Sequence, residues 1–185
     1  MGASFGVGVT HLCLMLGSYF SQSRNTIALV EWKNQDSFTA LQEAYEGKQL
    51  HDEPLEEPFR IKKVDYYKQF SQGSLSTLKD GSYQVIVVDF GEVSESKATM
   101  FNEMDIKLLV GHGNEWKYKE IEAVLRRFDT TISHQWKVVL PFSTQEEIHI
   151  VKKITRQKIR GLSYCKDPFR YDETIAKEIE QLLSL

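Results

Sequence analysis

The residues whose types and spacing offer chemistry come first in the chain: Gly2-Ala3-Ser4-Phe5-Gly6-Val7-Gly8-Val9-Thr10-His11. A glycine-rich turn running directly into a helix aims free backbone N–H groups and the positive end of the helix dipole at one point, which favours phosphate. Loops that grip nucleotide phosphates read G-x-x-x-x-G-K-[ST]; the lysine neutralises the terminal phosphates and the hydroxyl ligates Mg2+. Here Gly8 and Thr10 stand at the second glycine and hydroxyl positions, Ala3 takes the first glycine position, and Val9 replaces the lysine. Glycine is kept where the backbone must turn, while the charge is gone. The candidate phosphate-binding residues are therefore Gly6, Val7, Gly8, Val9, Thr10 and His11, with Thr10 also a candidate Mg2+ ligand. The competing reading is tight packing of a glycine turn onto a buried helix. His11, in the first turn, reads as a polar group facing the loop rather than as a general base.

The elements that must position this turn alternate short β-branched runs with helical periods. Thr26 to Trp32 (TIALVEW) is a nearly continuous apolar run, suited to a strand covered on both faces. Asp36 can cap a helix carrying Phe38, Leu41 and Tyr45 and closing at Gly47. Residues 48–58 read as an exposed loop, Phe59 to Tyr67 as a strand, and the region around Leu75 and Leu78 as a short helix stopping at Asp80-Gly81. Tyr83 to Phe90 (YQVIVVDF) is the clearest strand, ending in an acid and then Gly91. Ser96 is expected to cap a helix with Ala98, Met100, Phe101 and Met104, and Asp105 to Val110 to form a buried strand. A helix with Trp116, Ile121, Val124, Leu125 and Phe128 follows, then a strand from Trp136 to Phe142. Ser143 and Glu146 make a capping box for a helix through Ile154. A short strand from Ile159 to Tyr164 and a last helix with the stripe Ile175, Ile179, Leu182, Leu183 complete the order.

Strands and helices of this length imply right-handed crossovers and a mostly parallel sheet flanked by helices, a three-layer α/β sandwich. No repeat or second core is visible, so residues 1–185 read as one domain. One feature is anomalous. A phosphate loop follows the carboxyl end of a strand, yet only Met1 precedes Gly2. The first strand is expected to be missing, truncated or supplied from upstream, with a truncated start the preferred reading.

Gly6-Val7-Gly8-Val9-Thr10 followed by an apolar helix resembles the deviant P-loop (GKGGVGKTT) of the MinD/ParA family of P-loop ATPases. The resemblance extends in order along most of the chain, through short motifs. The strand ending Val30-Glu31-Trp32 resembles the family's second strand, whose acidic end faces the nucleotide. The segment Tyr83 to Gly91 is similar to its Walker B strand, where the acid, here Asp89, acts on Mg2+ through water. The Asp167-Pro168-Phe169 turn resembles the loop that closes over the base. The resemblance therefore implies a P-loop NTPase-like fold, ATP or ADP with Mg2+ as cofactor, Thr10 and Asp89 at the metal, Glu31 helping position water, and Asp167, Pro168 and Phe169 at the base. It also implies a protein partner, with a homodimer as one form. Asp89 read without the family is an acid capping a turn, and Glu31 a hydrogen-bonded strand terminus.

The departures bear on activity. Ser4 stands where the family has its signature lysine, Val9 where the P-loop lysine belongs, and no asparagine accompanies Pro141, Phe142 and Ser143. Each lost lysine removes a charge-assisted hydrogen bond worth about 1.5–3 kcal/mol, and more at a transition state. The expected function is that of a degenerate P-loop domain, non-catalytic or weakly nucleotide-binding, acting as a regulatory or interaction module. The alternative is an active ATPase whose cation comes from elsewhere, such as a partner or the tract Lys152, Lys153, Arg156, Lys158, Arg160.

Composition bounds the rest. Of 185 residues 41% are hydrophobic and 26% charged, with 11 Gly and 4 Pro, which excludes a disordered or collagenous chain. Lys plus Arg is 23 against 26 for Asp plus Glu, a net charge of -3, which gives no whole-surface footprint for nucleic acid. The five-cation tract within 152–160 reads as a solvated helix end complementing the macrodipole, or else as contact with an anionic partner. Histidines 51, 112, 134 and 149 show no metal-ligand spacing, so zinc is not expected. Two cysteines, Cys13 and Cys165, suggest no disulfide framework. No stretch approaches the ~20 apolar residues that span a bilayer. The acidic polar side of the last helix has the wrong sign for anionic lipid. A cytoplasmic location is expected.

Overall fold

A strand buried on both faces is apolar at nearly every position, and this accounts for the run Ile27–Val30. In a computed structural model, which describes residues 1–32, 35–47, 57–71, 78–79, 81–114, 116–128 and 133–184, Ile27–Trp32 forms strand β1, buried at all six positions. The chain divides into two compact units. One comprises residues 10–91 and 168–170, the other residues 1–9, 92–167 and 171–185.

The unit holding residues 10–91 contains a sheet of order β2-β3-β1-β4, with β2 at Phe59–Ile61, β3 at Val64–Phe70 and β4 at Val85–Asp89. β1 runs parallel to both β3 and β4. β2 is antiparallel to β3, so the single strand expected over Phe59 to Tyr67 is a hairpin. Its corner is Lys62-Lys63, with Lys62 left-handed at φ 54, and the lysines that break the alternation are the turn itself. Helix α1 (Val9–Phe20) buries Leu12, Cys13, Met15 and Leu16. It comes close to β1 at Gly17, where a Cβ would lie 2.8 Å from Leu29 Cδ1. Helix α2 (Ser37–Glu46) ends on Gly47 at φ 69, as its sequence implies, and begins after Asp36, whose side chain makes no capping hydrogen bond. Its Phe38 packs edge-on against Tyr66, which stacks on Phe59. The expected loop over 48–58 falls outside the described residues up to 56, and so does most of the helix expected around Leu75.

The other unit carries the all-parallel sheet β5-β6-β7, formed by Leu108–Val110, Lys137–Pro141 and Ile159–Leu162. Its helices are α3 (Glu95–Asn102), α4 (Tyr118–Arg127), α5 (Gln145–Thr155) and α6 (Glu173–Leu183). Connections between parallel strands need such crossovers. Residues 1–3 pair with the sheet through isolated bridges at Gly2. Gly2 makes parallel bridges to Glu92 on one side and Val110 on the other. Val110 N–H donates to Met1 O (2.8 Å), Ala3 N–H to Val110 O (2.7 Å) and Val93 N–H to Gly2 O (2.9 Å). Three residues thus satisfy their backbone groups on both edges, as a central strand does.

Two caps differ from the sequence expectation. Helix α3 begins after Ser94, not Ser96. Helix α5 begins after Thr144, whose Oγ1 accepts Glu147 N–H while the Glu147 carboxylate accepts Thr144 N–H. The capping box is therefore one residue beyond Ser143 and Glu146. The stripe of α6 buries Ile175, Ala176, Ile179 and Leu182 within its own unit. Lys137 Nζ closes that helix by donating to the carbonyls of Leu182, Leu183 and Ser184. No helix among the described residues is long and apolar enough to cross a membrane.

Trp136 fills the centre of this unit, 1% exposed, with Phe101 and Phe128 each 5.1 Å from it between ring centroids and its indole N–H on Asn102 Oδ1 at 2.9 Å. Trp136→Ala should cost about 3–5 kcal/mol, the range for emptying a buried aromatic site. Trp136→Phe should cost less, the difference including the unpaired Asn102 amide. Urea denaturation of the three proteins measures both, and near-equal stabilities would contradict this account of the core.

Candidate phosphate-loop site

Residues 4–9 are not extended. Gly6 and Gly8 both lie in the left-handed region, at φ 76 and 93, where a non-glycine residue is strained. The loop closes on its own start. A Cβ on Gly2 would come within 2.8 Å of methyl groups of both Val7 and Val9, and these two valines are buried. Phe5 at the apex is 88% exposed. Val9 therefore serves as packing that holds the turn shut, and the Ser4 side chain is engaged as well. Ser4 Oγ donates to Glu120 Oε2 at 2.6 Å, and Lys117 Nζ lies 3.3 Å from Glu120 Oε1. The Ser4 hydrogen bond holds the Glu120 carboxyl below the usual range, with Lys117 and His112 adding to the effect. Sequence reading missed Glu120: it is 116 residues from Ser4 on an ordinary amphipathic helix, and nothing in its own neighbourhood marks it.

In the unit holding residues 10–91, the helix start and the strand ends meet as the motif spacing implies. Thr10 Oγ1 donates to Asp89 Oδ2 at 2.6 Å. Asp89, fully buried, also accepts the Gly91 N–H on Oδ1 at 2.8 Å. The same turn is fixed by Gln35, whose Nε2 donates to the Asp89 carbonyl at 3.0 Å. Gly91 sits at φ 60, and a Cβ there would fall 2.5 Å from Gln35 Oε1, so glycine is required twice over. A hydroxyl and a carboxylate oxygen this close form a hard, oxygen-only donor pair of the kind Mg2+ takes with phosphate and water. Among the described residues no three His, Cys, Asp or Glu side chains converge on a metal by themselves.

Glu31 stands opposite Asp89 in the parallel register of β1 and β4 and is also fully buried. Its Oε1 accepts the Phe38 N–H at 3.1 Å, in the first turn of α2, while Oε2 has no partner among the described residues. Burial pushes the carboxyl up to about 7, with the neighbouring Asp89 adding to the rise and the Phe38 N–H opposing it. His11 is half-buried in the first turn of α1. Of the residues assigned to the base, Phe169 packs edge-on against Tyr45, with ring centroids 5.5 Å apart, and its carbonyl accepts Lys62 Nζ at 2.5 Å. Pro168 belongs to the same unit as Phe169, and Asp167, whose carbonyl accepts the Cys165 S–H at 3.3 Å, to the other. Lys152, Lys153, Arg156, Lys158 and Arg160 are all exposed. Lys152 and Lys153 lie in the last turn of α5, and Arg156 ends it in a left-handed cap.

A glycine loop opening a helix, with a hydroxyl and a strand-end acid in contact, is the arrangement of P-loop nucleotide-binding folds. No protein-family model matches the chain, and no curated protein matches it by sequence. Its structural neighbours are MinD/ParA-family ATPases. A putative plasmid partition protein from Borrelia burgdorferi B31 bound to AMPPNP superposes with a TM-score of 0.70 at 14% identity, covering 98% of this chain and 94% of that one. A chain of the MinC:MinD cell division protein complex from Aquifex aeolicus gives 0.64 at 14% identity, covering 97% and 83%. A ParA family ATPase from Chlorobium tepidum TLS gives 0.63 at 15% identity, covering 99% and 87%. The fold is that of the MinD/ParA proteins.

Glu31 makes stability depend on pH in a stated direction. Its folded value of about 7 lies above the ordinary 4.5, so between these the folded protein holds a proton that the unfolded chain has released. Stability should therefore fall as pH rises from about 4.5 to 7 and then level off, by roughly 3 kcal/mol in all. Glu31→Gln, which keeps the acceptor for Phe38, should remove that slope and be the more stable protein at pH 8. Urea midpoints from pH 5 to 8 for both proteins check this, and parallel curves would refute it.

Proposed function

We propose that this chain is a degenerate P-loop domain of MinD/ParA type that works as a regulatory or interaction module, holding a nucleotide weakly and without efficient turnover. The observation that carries this reading is the use of both lysine positions for something else: Val9 is buried against Gly2, and Ser4 is hydrogen-bonded to a carboxylate. The phosphate-binding residues are Gly6, Val7, Gly8, Val9, Thr10 and His11, with Thr10 and Asp89 holding Mg2+ when a nucleotide is bound, and Asp167, Pro168 and Phe169 at the base. Mg2+ supplies charge neutralisation to the phosphates, and this chain's residues supply a shaped loop and two oxygen donors. What they lack is a cation at the phosphates, the group on which phosphoryl transfer chiefly depends. One neighbour comes from a MinC:MinD complex, which supports a protein partner, and another is bound to AMPPNP, which supports ATP or ADP as the ligand class; a homodimer is one form of the partnership we assign. The setting we assign is the cytoplasm.

The intact Thr10–Asp89 contact favours a second reading, an active ATPase that borrows its cation from a partner or from the 152–160 tract. Calorimetric titration of the full chain with ADP and ATP in Mg2+, alongside a phosphate-release assay, separates the two. Weak binding that loses its Mg2+ dependence in Thr10→Ala and Asp89→Ala, with no release above the blank, is expected. Sustained release abolished by the same two substitutions would establish the ATPase instead.

A further inference from the structure

The Ser4–Glu120 contact does more than mark a missing lysine. Ser4 opens the glycine turn, and its hydroxyl is committed to Glu120 Oε2 at 2.6 Å. The cation nearest that carboxylate, Lys117 Nζ, is committed to the other oxygen at 3.3 Å. His112 leaves the sheet edge in the same register, two residues past Val110 as Ser4 is two past Gly2. Glu120 is not a loose surface acid. The next residue, Ile121, is fully buried against Gly111, where a Cβ would come within 2.5 Å of its Cδ1, so the first turn of α4 is anchored where it stands. A carboxylate fixed at the start of the turn works against phosphate in three ways: it repels it, occupies the Ser4 hydroxyl, and draws the charge of Lys117 to itself.

We propose that Glu120 is the specificity-determining residue of the loop: held by Ser4 and Lys117, its carboxylate selects against polyphosphate and leaves the loop to anions of low charge. The inference rests on reading residues 4–10 as an anion-binding loop. Because Coulomb repulsion scales with ligand charge, the discrimination is steeper for pyrophosphate than for orthophosphate. Glutamine at position 120 keeps the shape and an acceptor for Ser4 while deleting the charge and releasing Lys117.

The test uses the full chain, titrated with inorganic orthophosphate, pyrophosphate and ADP by calorimetry, with the Gly6 and Gly8 amide resonances as a local readout. Glu120→Gln is expected to bind pyrophosphate about tenfold tighter than the unaltered chain, with a smaller gain for orthophosphate. Glu120→Ala should reproduce that order, and an unchanged thermal midpoint in either variant shows that the fold is intact. Equal or weaker pyrophosphate binding in both variants overturns the proposal, and if the unaltered chain still binds ADP the nucleotide reading survives it. Binding in the variants with none in the unaltered chain supports the proposal while removing the nucleotide from the native function. Absence of binding in all three proteins overturns both.

Discussion

Two carboxylates shut away from solvent at the ends of neighbouring parallel strands are the constraint around which the unit of residues 10–91 is arranged. Glu31 and Asp89 face each other in register with no exposed surface, and two such groups do not both ionise cheaply. The structure separates their roles. Asp89 receives the Thr10 hydroxyl and the Gly91 N–H, while Glu31 receives the Phe38 N–H and is raised to about 7. The start of α1, the left-handed turn at Gly91 and the first turn of α2 each supply a donor to one oxygen of this pair, and Gln35 holds the Asp89 carbonyl. This is also why the Thr10–Asp89 contact is informative. It belongs to the folding of the unit as much as to any metal, so its presence speaks for the scaffold and not for turnover.

What the sequence made legible follows from how strongly each residue type is constrained. β1 is read without ambiguity because burial on both faces leaves only apolar residues over Ile27–Val30, and β4 because Val85–Val88 is an unbroken β-branched run, half-buried in the sheet. The glycine turn and its hydroxyl are read because their spacing is short and local. The caps are read to within one or two residues because the pattern repeats. Ser143-x-x-Glu146 and Thr144-x-x-Glu147 both fit a capping box, and only tertiary contact decides between them. Ser143 Oγ is turned to the Pro141 carbonyl at 3.4 Å, and its side chain lies so close to Gly113 that a Cβ there would overlap it. The hairpin at Lys62-Lys63 was hidden by the same logic: a two-residue corner of lysines looks like a poorly alternating strand until its φ is known. Glu120 was beyond reach, since its partner is far away in sequence and its own helix supplies every feature that a surface acid normally has.

Backbone shape and charge in a phosphate loop are separable properties, and this chain separates them. Shape is set by sterics: Gly6 and Gly8 hold left-handed angles, and residues 1–3 hold the turn at a sheet edge through paired N–H and C=O groups. Charge is set by side chains, and neither position 4 nor position 9 carries a cation. Val9 joins Val7 in closing on Gly2, so a lysine at position 9 would have to thread its stem through a contact already at van der Waals limit or abandon it. Ser4 joins Glu120, so a lysine at position 4 would meet a carboxylate before it met a phosphate. Restoring either cation singly thus disturbs packing or is neutralised at once. The valine contacts and the Ser4–Glu120 hydrogen bond stabilise a turn that carries no cation at positions 4 and 9.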